Sequence, residues 1–209
     1  MNILKPQKML SDNLRTIEDL QNELMEDAEL ENVKVKDYSN NNLEVFDVTC
    51  NKAVFNNASI INSRFEKTFL TDVEFTNCNF SNTTFDNCSF IRCEFNNCKL
   101  TGCNFIENVL FDIGFIDSNM GYANISMSNL RGIFFNNTSI RSGSLQENKA
   151  KNINFKEKAE RILDYLYAMF PNQGEDAKLY LQIQNMDLRN VVMRKVDEHT
   201  YALIPQITG

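Results

Sequence analysis

The chain has 209 residues and a formal charge of −7, from 21 Lys and Arg against 28 Asp and Glu, which is enough for one domain with a real core and a small appendage. Net acidity argues against direct binding to nucleic acid or to an anionic membrane, and leaves a basic partner as the complementary class. A single histidine, His199, argues against histidine-based catalysis and against multi-histidine metal sites.

In chain order, Met1 to Leu10 lacks the apolar stretch of a signal peptide, and no run approaches the ~18 apolar residues of a membrane span. The six cysteines are therefore expected in a cytoplasmic, reducing compartment. From Ser11, a suitable N-cap, Leu14, Ile17, Leu20 and Leu24 recur at helical spacing and predict a helix within an N-terminal cap, residues 1–25. Its expected role is to cover the end layer of the structure that follows.

Residues 26–155 obey a strict period of five. Every fifth residue from Leu30 to Phe155 is apolar except Asn40, 26 positions in all, and the register never slips. Two residues before each of these centres stands a mostly small residue, among them Ala53, Ala58, Ser63, Thr83, Cys98 and Ser118. The positions between are mostly polar or charged. Neither a helix, with period 3.6, nor a strand, with period 2, produces this pattern. A square coil does, with one pentapeptide per side, 20 residues per turn, and large centres and small partners pointing inward. Stacking at period 20 puts Val35, Phe55, Phe75, Phe95, Phe115, Phe135 and Phe155 in one internal column. It puts Val45, Phe65, Phe85, Phe105, Ile125 and Leu145 in the opposite one. Six and a half such coils make a rod about 31 Å long at ~4.8 Å per layer.

This unbroken pattern resembles the pentapeptide-repeat family. The resemblance implies an all-β fold, a right-handed quadrilateral β-helix. Asp27-Ala-Glu-Leu-Glu-Asn32 and Met120-Gly-Tyr-Ala-Asn-Ile-Ser-Met-Ser-Asn-Leu130 are similar to Qnr-type topoisomerase-protection proteins of Gram-positive bacteria. The Qnr and MfpA group is understood as rods that imitate duplex DNA and engage DNA gyrase or topoisomerase IV, so the resemblance implies a DNA mimic of that kind. Two features differ from the group. The uninterrupted register leaves no room for the protruding loops of its Gram-negative members, and the repeats give way after Phe155 to more than a short dimerising helix.

Residues 156–209 abandon the repeat and predict an α+β appendage. Lys156 to Phe170 reads as an amphipathic helix that ends at Pro171-Asn-Gln-Gly174, and Lys178 to Gln184, Asn190 to Val196 and Thr200 to Ile204 read as strands. The segment is larger than a cap requires, which points to a partner-binding module or a homodimer contact.

Candidate chemistry is sparse. Cys78, Cys88, Cys93, Cys98 and Cys103 are spaced in multiples of five at the inward small position, so they read as core thiols and not as metal ligands. No cofactor or metal is expected, and a filled rod without a cleft is not expected to be an enzyme. The surface is more informative. Residues 26–155 hold 16 acids and 11 bases. Eight of the acids, Glu66, Asp72, Glu74, Asp86, Glu94, Glu107, Asp112 and Asp117, lie within residues 66–117 against Lys67, Arg92 and Lys99, and form the candidate partner-binding patch. Glu66 and Asp86, like Glu74 and Glu94, are 20 apart and should stack like charges on neighbouring layers. Asp37, Asn57, Asn77, Asn97, Asp117 and Asn137 form a column that could hydrogen-bond along the rod. A duplex of the rod's length carries roughly 18 charges, against a net of −5 here, so mimicry would be of shape with modest charge. The leading expectation is a rod in the basic groove of gyrase or topoisomerase IV that protects the enzyme from quinolones. The alternatives are a phage or plasmid anti-defence inhibitor, an anti-CRISPR, in the nucleic-acid channel of a nuclease such as Cas9, and a scaffold whose C-terminal module is the active part.

Overall fold

The structure, a computed structural model, describes residues 4–6, 14–25, 27–156, 191–195 and 201–205. The repeats wind into a parallel β-solenoid. Seven eight-residue strands, Glu29–Lys36, Thr49–Asn56, Phe69–Thr76, Ser89–Asn96, Val109–Ile116, Asn129–Asn136 and Lys149–Lys156, each turn a corner and supply two sides of the square. Side 1 carries the centres in line with Leu30, and side 2 those in line with Val35. Side 3 is built from Ser39–Asn41, Ser59–Ile61 and single bridges at Asn79, Lys99, Asn119 and Ser139. Side 4 is a six-stranded sheet from Glu44–Phe46 to Ser144–Gln146. Residues 20 apart pair in parallel, as Phe55 with Phe75 and Phe75 with Phe95.

The corners explain the abundance of Asn and Asp. All 26 residues at every fifth position from Asp27 to Asn152 have positive φ, 24 of them non-glycine between 49° and 64°. A square coil must change direction once per pentapeptide, and a left-handed residue achieves this in one step. Asn, Asp and Gly tolerate that conformation best, and they fill 18 of the 26 corners.

The axis is filled with aromatic rings. On side 2, Phe55, Phe75, Phe95, Phe115, Phe135 and Phe155 stack with centroids 4.6–5.2 Å apart. On side 4, Phe65, Phe85 and Phe105 do the same at 5.0–5.2 Å. Edge-to-face contacts such as Phe75–Phe80 and Phe85–Phe90 lock neighbouring sides together. One void inside, bordered by Leu20, Phe55 and Phe85 among others, is only about 30 Å³.

The small inward residues have a second task beyond fitting. Ser118 Oγ accepts from Cys98 N at 3.0 Å and shares its proton between Ile116 O at 2.8 Å and Phe95 O, one layer back, at 3.1 Å. Asn108 accepts from Cys88 N at 2.6 Å and donates to Phe85 O at 3.0 Å. Thr138 and Asn148 repeat the arrangement. Each side chain reaches one layer back to backbone groups that would otherwise be buried without a partner. The cysteines make only the weaker half of this contact, as Cys78 Sγ to Phe55 O at 3.4 Å.

The N-terminal cap differs from expectation. Arg15–Ile17 is a strand paired in parallel with Glu29–Lys36, and helix is confined to one turn, Leu20–Glu23, capped by Asp19. Residues 11–13, including Ser11, lie outside the described residues. The open edge of the first coil has backbone donors and acceptors that only another strand can satisfy, and that requirement overrides the helical spacing. Ile17 pairs with Val35 and, with Leu20, is buried in the core. At the other end, Val191–Lys195 pairs antiparallel with Lys149–Lys156, and Tyr201–Pro205 pairs antiparallel with Val191–Lys195, completing a ten-stranded sheet. Lys156, expected to open a helix, ends a strand. The rest of that expected helix and the strand expected at 178–184 lie outside the described residues. Among the described residues no helix is long and apolar enough to cross a membrane.

Candidate partner-binding surface

Alternation along each strand points one residue of side 2 outward between two buried ones. In successive layers that column reads Lys34, Val54, Glu74, Glu94, Gly114, Phe134 and Asn154, each in register with the next. Glu74 and Glu94 are direct neighbours, as the spacing of 20 requires. Glu94 accepts from Asn96 Nδ2 at 2.6 Å and meets Lys5 Nζ at 3.5 Å. Burial, and then the Glu94 charge, push the Glu74 carboxyl above the usual carboxylate range, and Lys5 offsets part of this. Asp112 and Asp117 stand at the two corners that bound side 2.

Asp72, expected in the exposed patch, is buried, with 2% of its surface accessible. Arg92 holds it from the next layer with Nε 2.7 Å from Oδ1 and Nη2 2.8 Å from Oδ2. Asp72 is thus a structural anion and offers no free charge to a partner. Glu66, Asp86 and Glu107 lie elsewhere, on side 4 and its corner with side 1. Arg64 Nη2 bridges the first two, 3.2 Å from Glu66 Oε2 and in contact with Asp86 Oδ2. The eight acids therefore form two groups on opposite sides of the rod. Glu74, Glu94, Asp112 and Asp117 come together on or beside side 2.

Each like-charge stack has a cation that sequence reasoning did not assign to it. For Arg64 the signal was present, since it is two residues from Glu66 on the same outward face. For Lys5, 89 residues from Glu94, no local signal existed. The corner column behaves as expected where the chemistry allows. Asn57 donates to Asp37, Asn77 to Asn57 and Asn97 to Asn77, at 2.7–3.3 Å, and Asn137 donates to Asp117 at 2.7 Å. Aspartate accepts only, so each Asp begins a run. The bond from Asn57 lowers the Asp37 carboxyl below its ordinary value.

All six cysteines are free and buried. Burial pushes Cys50, Cys93 and Cys103 up to about 12 and Cys88 to about 11, so none of these four is a thiolate nucleophile at neutral pH.

The repeats match the family described as pentapeptide repeat region over residues 88–159, and the description pentapeptide repeats (8 copies) over residues 70–105. Among solved structures, HetL, a pentapeptide repeat protein involved in heterocyst differentiation regulation from the cyanobacterium Nostoc sp. strain PCC 7120, aligns at 13% identity and a TM-score of 0.48. That alignment covers 62% of this chain and 65% of HetL, less than two thirds of its length. Full-length QnrB1, a plasmid-mediated fluoroquinolone resistance protein, aligns at 12% identity and a TM-score of 0.30, over 82% of this chain and 95% of its own. A pentapeptide repeat protein of the Arabidopsis thaliana thylakoid lumen aligns at 15% identity and a TM-score of 0.23, over 57% and 68%. No curated protein matches the sequence.

Proposed function

The chain belongs to the pentapeptide-repeat family, and from that premise we propose that it is a non-enzymatic binding rod. Its second side would enter the basic nucleic-acid groove of a DNA-processing enzyme, in the first place a type II topoisomerase, DNA gyrase or topoisomerase IV. One observation carries this reading. Glu74 and Glu94 stand in register on a parallel sheet, with Asp112 and Asp117 at its two bounding corners. The layers repeat at ~4.8 Å, the order of the ~3.4 Å phosphate spacing along one DNA strand. The filled interior supports a role played on the outer faces. Residues 156–209 are a second proposed contact, for the partner or for a homodimer, and the site of action is the cytoplasm, where such enzymes meet DNA.

The test is a gyrase supercoiling reaction titrated with the protein, with and without ciprofloxacin. Restored supercoiling in the presence of drug is the expected result. Inhibition without rescue keeps the topoisomerase as partner and removes protection. No effect removes the topoisomerase and turns the search to defence nucleases with basic channels, such as Cas9. The double variant Glu74→Lys/Glu94→Lys should lose the effect while circular dichroism shows the coil intact.

A further inference from the structure

The outward column of side 2 has one gap. Between Glu94 and Phe134 stands Gly114, over which the Glu94 side chain leans, and beside it a groove of about 230 Å³ lies between the sheet and residues 4–6. Ile116 and Phe134 give it apolar walls, and Glu94 gives it an anionic end. Leu4, Lys5 and Pro6 form one wall of this groove, facing the sheet across it. Lys5 places its ammonium 3.5 Å from Glu94 Oε2 and lowers the Glu74 carboxyl against the pull of burial. The segment is seated without being locked. Leu4 remains 59% exposed and the Lys5 side chain 76% exposed, against 15% for the Glu94 side chain, so the ammonium stays largely in water and the pair is modest. What holds the segment is its covalent tether, which keeps its local concentration high.

We propose that the groove beside Gly114 is a docking site for an extended protein segment with a lysine between apolar residues, and that residues 4–6 border it in cis as a displaceable strap over Glu94. The chemistry of the occupant follows from the seated segment: a cation for the carboxylates, flanked by side chains for the apolar walls. The proposal deepens the functional reading above and rests on it for the choice of side 2 as the contact face. A basic partner then competes with the strap for the same carboxylates.

The experiment uses the full chain and a fluorescein-labelled peptide that copies residues 1–10, read by anisotropy. The triple variant Leu4→Gly/Lys5→Ala/Pro6→Gly opens the groove and should bind the peptide about tenfold more tightly than the unmodified protein, because no tethered competitor remains. Adding Gly114→Leu should remove that binding. Its backbone has no positive φ and its column already carries Val54 and Phe134; a Cβ there stands 3.3 Å from Glu94 Cγ, so the flexible Glu94 side chain shifts by a few tenths of an ångström to admit it. Glu94→Gln, in the same opened variant, serves as the second probe and should weaken binding several-fold. Equal affinity for the unmodified and opened proteins, absence of binding to either, or binding indifferent to Gly114→Leu and Glu94→Gln would overturn the proposal. A dimer that the triple variant loses would show the strap exchanged between copies and overturn the cis assignment. The peptide readout contains no topoisomerase, so failure of the groove and failure of the proposed function are seen separately.

Discussion

Two demands meet at Arg92. Its φ of 52° places it at a corner where Asn is more at ease than Arg, yet its guanidinium is the counter-charge of buried Asp72. Arg92→Asn therefore relaxes the backbone and removes the ion pair in one step. The pair should win, because a buried carboxylate that loses its guanidinium counter-charge costs several kcal/mol while corner strain costs about 1. A net loss of about 2–3 kcal/mol in urea unfolding is expected, with most of it recovered in Asp72→Asn/Arg92→Asn. A gain in stability would mean that Asp72 is solvated after all. Glu74 carries the opposite sign. Its folded carboxyl lies above the unfolded value, so its stabilising protonated form is fully present below the ordinary carboxylate range and is lost as pH rises through the raised value. Glu74→Gln should raise Tm by about 2 °C at neutral pH and leave it unchanged in acid below about pH 4. An equal gain at both pH values would point to packing instead of charge.

Among the elements, the inward small column joins the layers as firmly as the sheets do. Asn108 is 1% exposed and satisfies two backbone groups of the layer behind it. Asn108→Leu keeps the branched shape, with somewhat more bulk, and removes both bonds, leaving Cys88 N and Phe85 O buried without that partner. A loss of about 2–4 kcal/mol is expected, against about 1 kcal/mol or less for Cys98→Ala, where only weak thiol contacts go. Comparable losses for the two would mean the column acts by packing alone. The same element shows what a sequence conveys. The period of five was legible because each pentapeptide repeats one local demand, large centre and small partner, 26 times over. The bonds made by the polar members of the small column, Asn108 and Asn148, have no local signal, because the groups they serve are about 20 residues away. The cap misread had the same origin. Leu14, Ile17, Leu20 and Leu24 give a local helical signal, whereas the unpaired edge of Glu29–Lys36 that draws Arg15–Ile17 into a strand exists only once the coil is built.

For the molecule as a whole, under the function proposed above, charge density decides how the rod would compete with DNA. The eight acids were legible as a cluster in sequence, but the square section divides them between opposite sides, and Arg64, Arg92 and Lys5 each answer part of the charge. Side 2 keeps Glu74, Glu94, Asp112 and Asp117 within reach of one groove, where duplex DNA presents a phosphate every ~1.7 Å of axis. DNA also carries condensed counterions, and their release makes its binding fall with salt at about 0.9 log units per phosphate contact. A rod with a few separated carboxylates has no such condensed layer. Its binding should therefore rest on shape and buried contact, and weaken only by ordinary screening. Between about 50 and 200 mM salt, a duplex with 6–10 contacts loses about 10³–10⁵ in affinity, while the rod should lose about tenfold or less. Displacement of a labelled duplex from gyrase by the protein should thus become easier as salt rises, with the midpoint concentration falling across that range. A midpoint that rises with salt, as it would for a competing duplex of weaker affinity but equal charge, would mean that the rod binds as an electrostatic copy of DNA despite its net charge of −5 along the repeats.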